Sequence, residues 1–283
     1  AVNKKSKEYW DTIRPVPLEK EEQLDYQVKD SIYDLYKDSA YSQSMLDSLN
    51  KKQGRLKLYK VFWNGINRTK YKSKKQVTWG IEPLIPNLEY NTAEGVTINA
   101  NGYVNTNIPK WKTNFSFQPH VRYGFSNGHL NAWANFQFRT RDMDADNRIK
   151  RYSWDFTGGK RVTQFNADSK FLPMVNTFST LLYGNNFMKT YENYFGNISY
   201  RRRFENGLQF RINALYENRI PLNNSTDFTF FKKDTIRLTP NYPYEIISEQ
   251  FEQYQAVILS ASVSFRPGQK YIQLPYSKIS MGS

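Results

Sequence analysis

Between Phe115 and Phe138 apolar and polar residues alternate in steps of two. Phe115, Phe117, Pro119, Val121, Tyr123 and Phe125 fall on one side of an extended chain, and Ser116, Gln118, His120 and Arg122 on the other. Ser126-Asn127-Gly128 then marks a turn, because Asn and Gly tolerate positive φ. The alternation resumes with Leu130, Ala132, Ala134, Phe136 and Phe138 against Asn131, Asn135, Gln137 and Arg139. This pattern predicts a long β-hairpin with one apolar and one polar face. Each arm has about ten residues, close to the ~9–11 that a tilted strand needs to cross a bilayer. Strands of a soluble sandwich are shorter, about five or six residues.

The same period recurs along the chain. Val77, Trp79 and Ile81 alternate with polar or small neighbours until Pro83 and Pro86 break the run. Val96, Ile98, Ala100 and Val104 follow, and after the hairpin come Tyr152, Trp154 and Phe156, then Tyr194, Ile198 and Tyr200. Glu205-Asn206-Gly207 is a second tight turn. It leads into Leu208, Phe210, Ile212, Ala214 and Tyr216, and Val257 to Phe265 closes the series after a polar loop from about Pro221 to Glu252. The reading is of about eight strands joined by tight turns and long loops, as in outer-membrane barrels, with tight turns on the periplasmic side. Both tight turns read as periplasmic, yet three strands lie between them, where two turns on one side need an even number. Either a further strand is hidden or one short turn faces outward.

Two stretches read as helical outside this series. Glu19, Glu21 and Glu22 open a helix whose stripe is Leu24, Val28, Ile32, Leu35 and Tyr36, and Tyr41, Met45 and Leu49 mark a shorter one ending near Gly54. Such short helices cannot bury their stripes alone, so a sheet or barrel mouth is their expected partner. A third helical spacing interrupts the strands at Leu172, Val175, Phe178, Leu181 and Leu182, with Pro173 in its first turn. The expected organisation is a helical lead-in on the periplasmic side over 1–56 and barrel strands over 57–283. The fold class is mainly β: a long antiparallel meander forming part of a transmembrane β-barrel, preceded by two short amphipathic helices.

Composition agrees with this picture. Hydrophobic residues are 39% of the 283, but aromatics reach 16%, with 21 Tyr and 19 Phe. In a barrel only alternate residues meet lipid, and rings gather at the interfaces. The mean hydropathy of −0.75 is therefore no argument against a membrane. No run of apolar residues is long enough for a transmembrane helix, and Lys4, Lys5 and Lys7 near the start have no apolar stretch of the signal-peptide kind beside them. Either processing removed such a peptide or the chain is an excerpt. The absence of cysteine excludes disulfides, thiolate zinc sites and cysteine nucleophiles. The formal charge of +14 fits anionic headgroups or an anion-selective lumen. Nucleic acid ranks lowest, since no helix concentrates the arginines.

Several stretches resemble one family. They are Tyr9 to Leu18 (Tyr-Trp-Asp-Thr-Ile-Arg-Pro-Val-Pro-Leu), Tyr90-Asn91-Thr92-Ala93-Glu94-Gly95, Val121 to Asn127, Asp227 to Lys233, and Arg266 to Tyr271. They are similar to the large Bacteroidota outer-membrane proteins that carry a carboxypeptidase-regulatory-like domain before a barrel of unknown function. The resemblance covers nearly the whole chain in the same order. It implies that the chain is an excerpt, the lead-in helices and first part of a barrel, whose partners are outer-membrane lipid or lipopolysaccharide, the rest of the parent protein and other envelope proteins. The regulatory module is a β-sandwich and implies no peptidase activity.

Candidate sites are few. Arg122, Arg139 and Arg211 lie on otherwise polar faces and are candidate lumen contacts for anions. Tyr152, Trp154 and Tyr216 are candidate interface anchors, as is Arg201, whose run Arg201-Arg202-Arg203 ends a strand where arginine stems snorkel. Trp111 and Trp133 could join these rings in a sugar site, and Trp133, on the Asn-Gln-Arg side, could fill the lumen. His120 and His129 flank a turn, but no nearby carboxylate completes a metal set. Asp142-Met143-Asp144-Ala145-Asp146 mimics a calcium loop, yet Asn147 replaces the required glycine and Ser153 the terminal glutamate. There is no phosphate loop, no nucleophile elbow and no supported Ser-His-Asp order. The expectation is a non-enzymatic outer-membrane barrel segment without a cofactor, acting in transport, uptake or envelope assembly. A soluble lipid- or glycan-binding barrel or sandwich is the alternative, and an envelope hydrolase ranks last.

Overall fold

The computed structural model describes residues 42–72, 75–143, 149–166, 172–204, 206–231, 241–243 and 252–266, with parts of 21–29 and the short stretches 271–273 and 278–280. Most of the first helix lies outside these residues; its described members Leu24 and Val28 are exposed. The second forms as α1, Gln43–Lys52, capped by Ser42, whose Oγ accepts from Met45 N. Gly54 follows it with φ +64°. A single turn, α2 (Lys60–Trp63), leads into the sheet.

Ten strands make one antiparallel sheet. β1 (Ile66–Lys72), β2 (Lys75–Ile81), β4 (Gly95–Ile108), β5 (Thr113–Gly124), β6 (Leu130–Met143), β7 (Ile149–Gln164), β8 (Thr190–Arg203), β9 (Leu208–Ile220) and β10 (Tyr254–Phe265) lie side by side in that order. The short β3 (Leu88–Asn91) pairs with Gly95 to Ile98 of β4, while β2 pairs with Gly102 to Thr106 of the same strand. β2 and β3 are thus two halves of one line, broken at Pro83 and Pro86. A small separate hairpin joins β11 (Tyr271–Gln273) to β12 (Lys278–Ser280).

The expected count of eight strands becomes ten in this sheet. β1 was hidden because Ile-Asn-Arg-Thr-Lys-Tyr-Lys is mostly polar, and β3 because four residues cannot show a period. The parity problem resolves as well. β6, β7 and β8 lie between the Ser126-Asn127-Gly128 turn and the turn at Asn206-Gly207, so the two turns sit at opposite ends of the sheet. The end holding the 126–128 turn also carries α3 (Pro173–Tyr183) and the loop from Pro221; we call it the cap end. The other is the turn end.

Among the described residues the sheet is not closed into a barrel; β1 and β10 are its edges. The β1 edge is covered. Asn50 of α1 donates to Tyr71 O and accepts from Tyr71 N, and Gln53 does the same with Thr69. Two side-chain amides thereby stand in for a neighbouring strand, one way of blunting an exposed edge. Among the described residues β10 has no such cover, and it is exposed along nearly its whole length.

Register sorts the side chains cleanly. One row across the sheet reads Trp79, Val104, Phe117, Phe136, Phe156, Ile198, Ala214, Leu259; the next reads Val77, Thr106, Phe115, Phe138, Trp154, Tyr200, Ile212, Ala261. The rings touch along the rows, with Phe117 and Phe136 at 4.7 Å and Trp154 and Tyr200 at 4.5 Å between centroids. This apolar face has no covering layer among the described residues: Phe136, Ile198 and Leu259 are 41%, 48% and 76% exposed. The opposite face carries rows such as Asn105, Ser116, Gln137, Asp155, Ser199, Asn213, Ser260.

The most buried large side chains are polar. Glu94, Asn131, Asn176, Asn193, Thr92, Thr97 and Thr180 all have under 2% exposure. All of them lie at the cap end. Helix α3 shows why. Pro173 starts it, as expected, and Gly184, with φ +69°, ends it. Its buried face, however, is Asn176 and Thr180, whereas Leu172, Val175 and Phe178 of the expected apolar stripe are exposed. The helix docks by hydrogen bonds from its polar side.

Candidate functional site

The cap end is built around Tyr90-Asn91-Thr92-Ala93-Glu94-Gly95. Asn91 Oδ1 accepts from Ala93 N and Glu94 N, closing a tight turn, and its Nδ2 donates to Glu94 Oε2. Gly95 takes φ +71°, and a Cβ there would meet Ser126 Oγ at 1.9 Å, so no larger residue fits. Every other position reaches out to a distant segment. Tyr90 N donates to Thr177 Oγ1 on α3, and its hydroxyl to Phe228 O. Thr92 Oγ1 donates to Asn224 and accepts from Asn186, and Thr92 O accepts from Ser225 N. Glu94, fully buried, receives Arg122 through Nε and Nη2, the latter at 2.6 Å. Arg122 Nη1 donates to Glu89 and Asn99.

Three stretches quoted above for the family resemblance therefore meet here: Tyr90–Gly95, Val121–Asn127 and Asp227–Phe231. Sequence distance hid this meeting, since 138 residues separate the Tyr90 hydroxyl from its acceptor. The one local signal was the Asn-to-Gly turn carrying a glutamate.

Two further carboxylates at this end are buried and paired. Glu192 accepts from His129 Nδ1 at 2.8 Å and from Asn131, and lies 3.1 Å from Lys160 Nζ. Glu217 accepts from Asn193 at 2.6 Å and binds Arg219 and Arg161 at 2.7 and 3.3 Å. The Arg161 guanidinium also lies over the Phe195 ring, 3.8 Å from its centre. Burial pushes the Lys189 ammonium, on the connector after α3, down to about 8. The cap end thus excludes water from ionisable groups and pairs its carboxylates internally.

The turn end differs. One polar-face row runs Asn107, Asn114, Arg139, Ser153, Arg201, Arg211, Ser262, and the next places Arg151 directly opposite Arg203. Asp155, the carboxylate that acts on Arg201, is engaged by Gln137. Above this part of the face, Leu46 and Leu49 of α1 wall an open pocket of about 1190 Å³ whose sheet side includes Thr78, Ser116, Gln137 and Arg139.

The expected anion contacts therefore separate. Arg139 and Arg211 lie in this row, while Arg122 is spent on Glu94, Glu89 and Asn99. Arg201, expected as an interface anchor, falls on the polar face beside Arg211, because alternation carries it to the side opposite Trp154. Tyr152, Trp154 and Tyr216 are on the apolar face, 38%, 39% and 43% exposed. Trp133 is on the polar face as expected, stacked on His120 with ring centres 5.0 Å apart. His120 binds Asn101 and His129 binds Glu192, so the two histidines serve separate partners. Trp111 is exposed in a 3-10 turn at the turn end. Among the described residues no group of three potential ligands could hold a metal, and Asp144 and Asp146 of the calcium-like stretch lie outside them.

No curated protein and no solved structure matches the chain. Residues 59–283 match the profile described as the C-terminal domain of a family of unknown function (DUF5686), and over that span, from α2 through the whole ten-stranded sheet, the chain belongs to that family.

Proposed function

We propose that this chain is part of the wall of an outer-membrane β-barrel, a non-enzymatic segment acting in transport, uptake or envelope assembly. The observation that carries the reading is the uncovered apolar face, which spans seven adjacent strands of 12 to 16 residues, β4 to β10. Such strands exceed the ~9–11 residues that a bilayer crossing requires, and an apolar patch of this extent marks a lipid or protein interface. A soluble sandwich would need a second sheet on that face, and the described residues supply none.

Two features support an orientation. Transmembrane barrels have short turns on the periplasmic side and longer loops outside. The turn end, with connections as short as Pro109–Lys112, would then be periplasmic, and the cap end, with α3 and the loop from Pro221, would face outward. The helical lead-in arrives at the turn end, where α1 packs, in keeping with a periplasmic lead-in. The free edge of β10 would take the next strand of the parent wall.

Leu259→Arg tests the reading, with Ser260→Arg as its neighbour on the polar face. A lipid-facing position predicts a cost of about 2–4 kcal/mol for the first and little for the second, read as the fraction assembled into lipid vesicles. Equal assembly of the two variants, or a folded monomer in plain buffer, would defeat it.

A further inference from the structure

The turn end of the polar face holds arginines that the fold itself does not use. Arg201 and Arg211 are directly opposite each other on β8 and β9, and Arg139 lies in the same row across Ser153. Directly opposed like charges repel, so folding alone gives no reason for the arrangement. None of the three makes a hydrogen bond or salt bridge to a described residue, and Arg201 Nε is buried without a partner. Among the described residues Arg203, two residues on, keeps only a neutral hydrogen-bond partner, Gln209 at 3.0 Å. The surrounding positions include hydroxyls and an amide, Ser153, Ser199, Asn213 and Ser262, which can donate or accept, and one carboxylate, Asp155, which accepts from Gln137 and acts on Arg201 without bonding it. The pocket beneath α1 reaches this row at Arg139.

We propose that Arg201 and Arg211, with Arg139 and Arg203 beside them, form a binding site for a phosphoryl dianion. Guanidinium forks match phosphate oxygens in pairs, and two facing forks neutralise a dianion that a single arginine cannot. The ligand removes the Arg201–Arg211 repulsion and gives the buried Nε its acceptor. The phosphoryl group can come from a lipid headgroup or from a soluble phosphate ester.

The test uses the full chain in non-ionic detergent and titrates it with inorganic pyrophosphate, then with phosphatidic acid doped into the micelles. Pyrophosphate binding that weakens with rising salt is expected, and Arg201→Gln/Arg211→Gln should weaken it about tenfold or more. Arg211→Lys, which keeps the charge but loses the fork, should fall between. Arg202→Gln is the control: Arg202 sits on the apolar face, over the Phe204 ring, and its loss should change nothing. Binding of phosphatidic acid in competition with pyrophosphate identifies a headgroup, and binding of pyrophosphate alone a soluble ester. No binding of either probe, or equal weakening by Arg202→Gln, overturns the site. The site needs the register of the sheet and not a membrane. Pyrophosphate binding by a chain folded in plain buffer would keep the site and remove the barrel, and lipid dependence without pyrophosphate binding would do the reverse.

Discussion

At the cap end Glu89, Glu94, Glu192 and Glu217 each have a cation within 3.1 Å. At the turn end of the same face Arg139, Arg201, Arg203 and Arg211 have, among the described residues, one aspartate beside them, Asp155, and no salt bridge to it. The same residue types do opposite work. Where the chain must hold long connections over the sheet, charge is buried and neutralised by its own partners. Buried carboxylates survive only when paired and hydrogen-bonded, and here each has both. Where the connections are short, the face is open and its charge is left for something else. A formal charge of +14 describes neither end; what matters is which arginines already have a carboxylate.

Breaking the cap end should have the largest effect. Glu94→Gln leaves Arg122 buried beside a neutral amide, with Glu89 as its remaining counter-charge. Removing one partner of a buried pair costs about 3–5 kcal/mol, and this loss should be visible as a lower unfolding midpoint in urea. Glu94→Gln combined with Arg122→Met should recover part of it. An unchanged midpoint for Glu94→Gln would mean that the pair does not hold this end together. Thr92→Val should cost less. It removes a hydroxyl that both donates to Asn224 and accepts from Asn186, so both amides lose that bond at about 1–3 kcal/mol in total. Because those bonds tie down the loop from Pro221 and the connector after α3, protease cleavage within 221–231 should accelerate. If the midpoint falls without faster cleavage, the hydroxyl matters to the sheet and not to the loops.

Much of the sheet was legible because period-two alternation is forced wherever the two faces meet different surroundings. Phe115 to Phe138 gave its hairpin and its faces, and the rows across β4 to β10 follow from the same rule. The polar placement of Trp133 followed too. What stayed hidden was of two kinds. Short or mostly polar strands, β3 and β1, have no alternation to read and form because a neighbouring strand or α1 offers hydrogen bonds. The cap-end network was hidden because its partners are far apart in sequence, Thr92 with Asn224 or Asn131 with Glu192. The spacing located α3 but not its docking side: Asn176 and Thr180 take the buried side and Leu172, Val175 and Phe178 do not, since the space they enter is lined with polar groups. Arg201 was placed at the interface from its position at a strand end, and only register shows that it faces Arg211.

The smallest effect tests the contrast most directly, because its sign differs. Arg211→Gln deletes a charge from the turn end, as Glu94→Gln does from the cap end. Arg211 has no ion pair to lose, and its opposite neighbour is Arg201, so the deletion relieves a repulsion. Cross-strand pairs of this kind are worth about 0.2–1 kcal/mol, so in low salt the variant should unfold at an equal or slightly higher urea concentration than the parent chain. Added salt screens the repulsion, and the difference should shrink as ionic strength rises. Saturating pyrophosphate should reverse the order, since a ligand that binds the folded parent more tightly than the variant stabilises the parent more. A variant less stable than the parent in the absence of any anion would mean that Arg211 serves the fold, and the contrast between the two ends would then be one of burial alone.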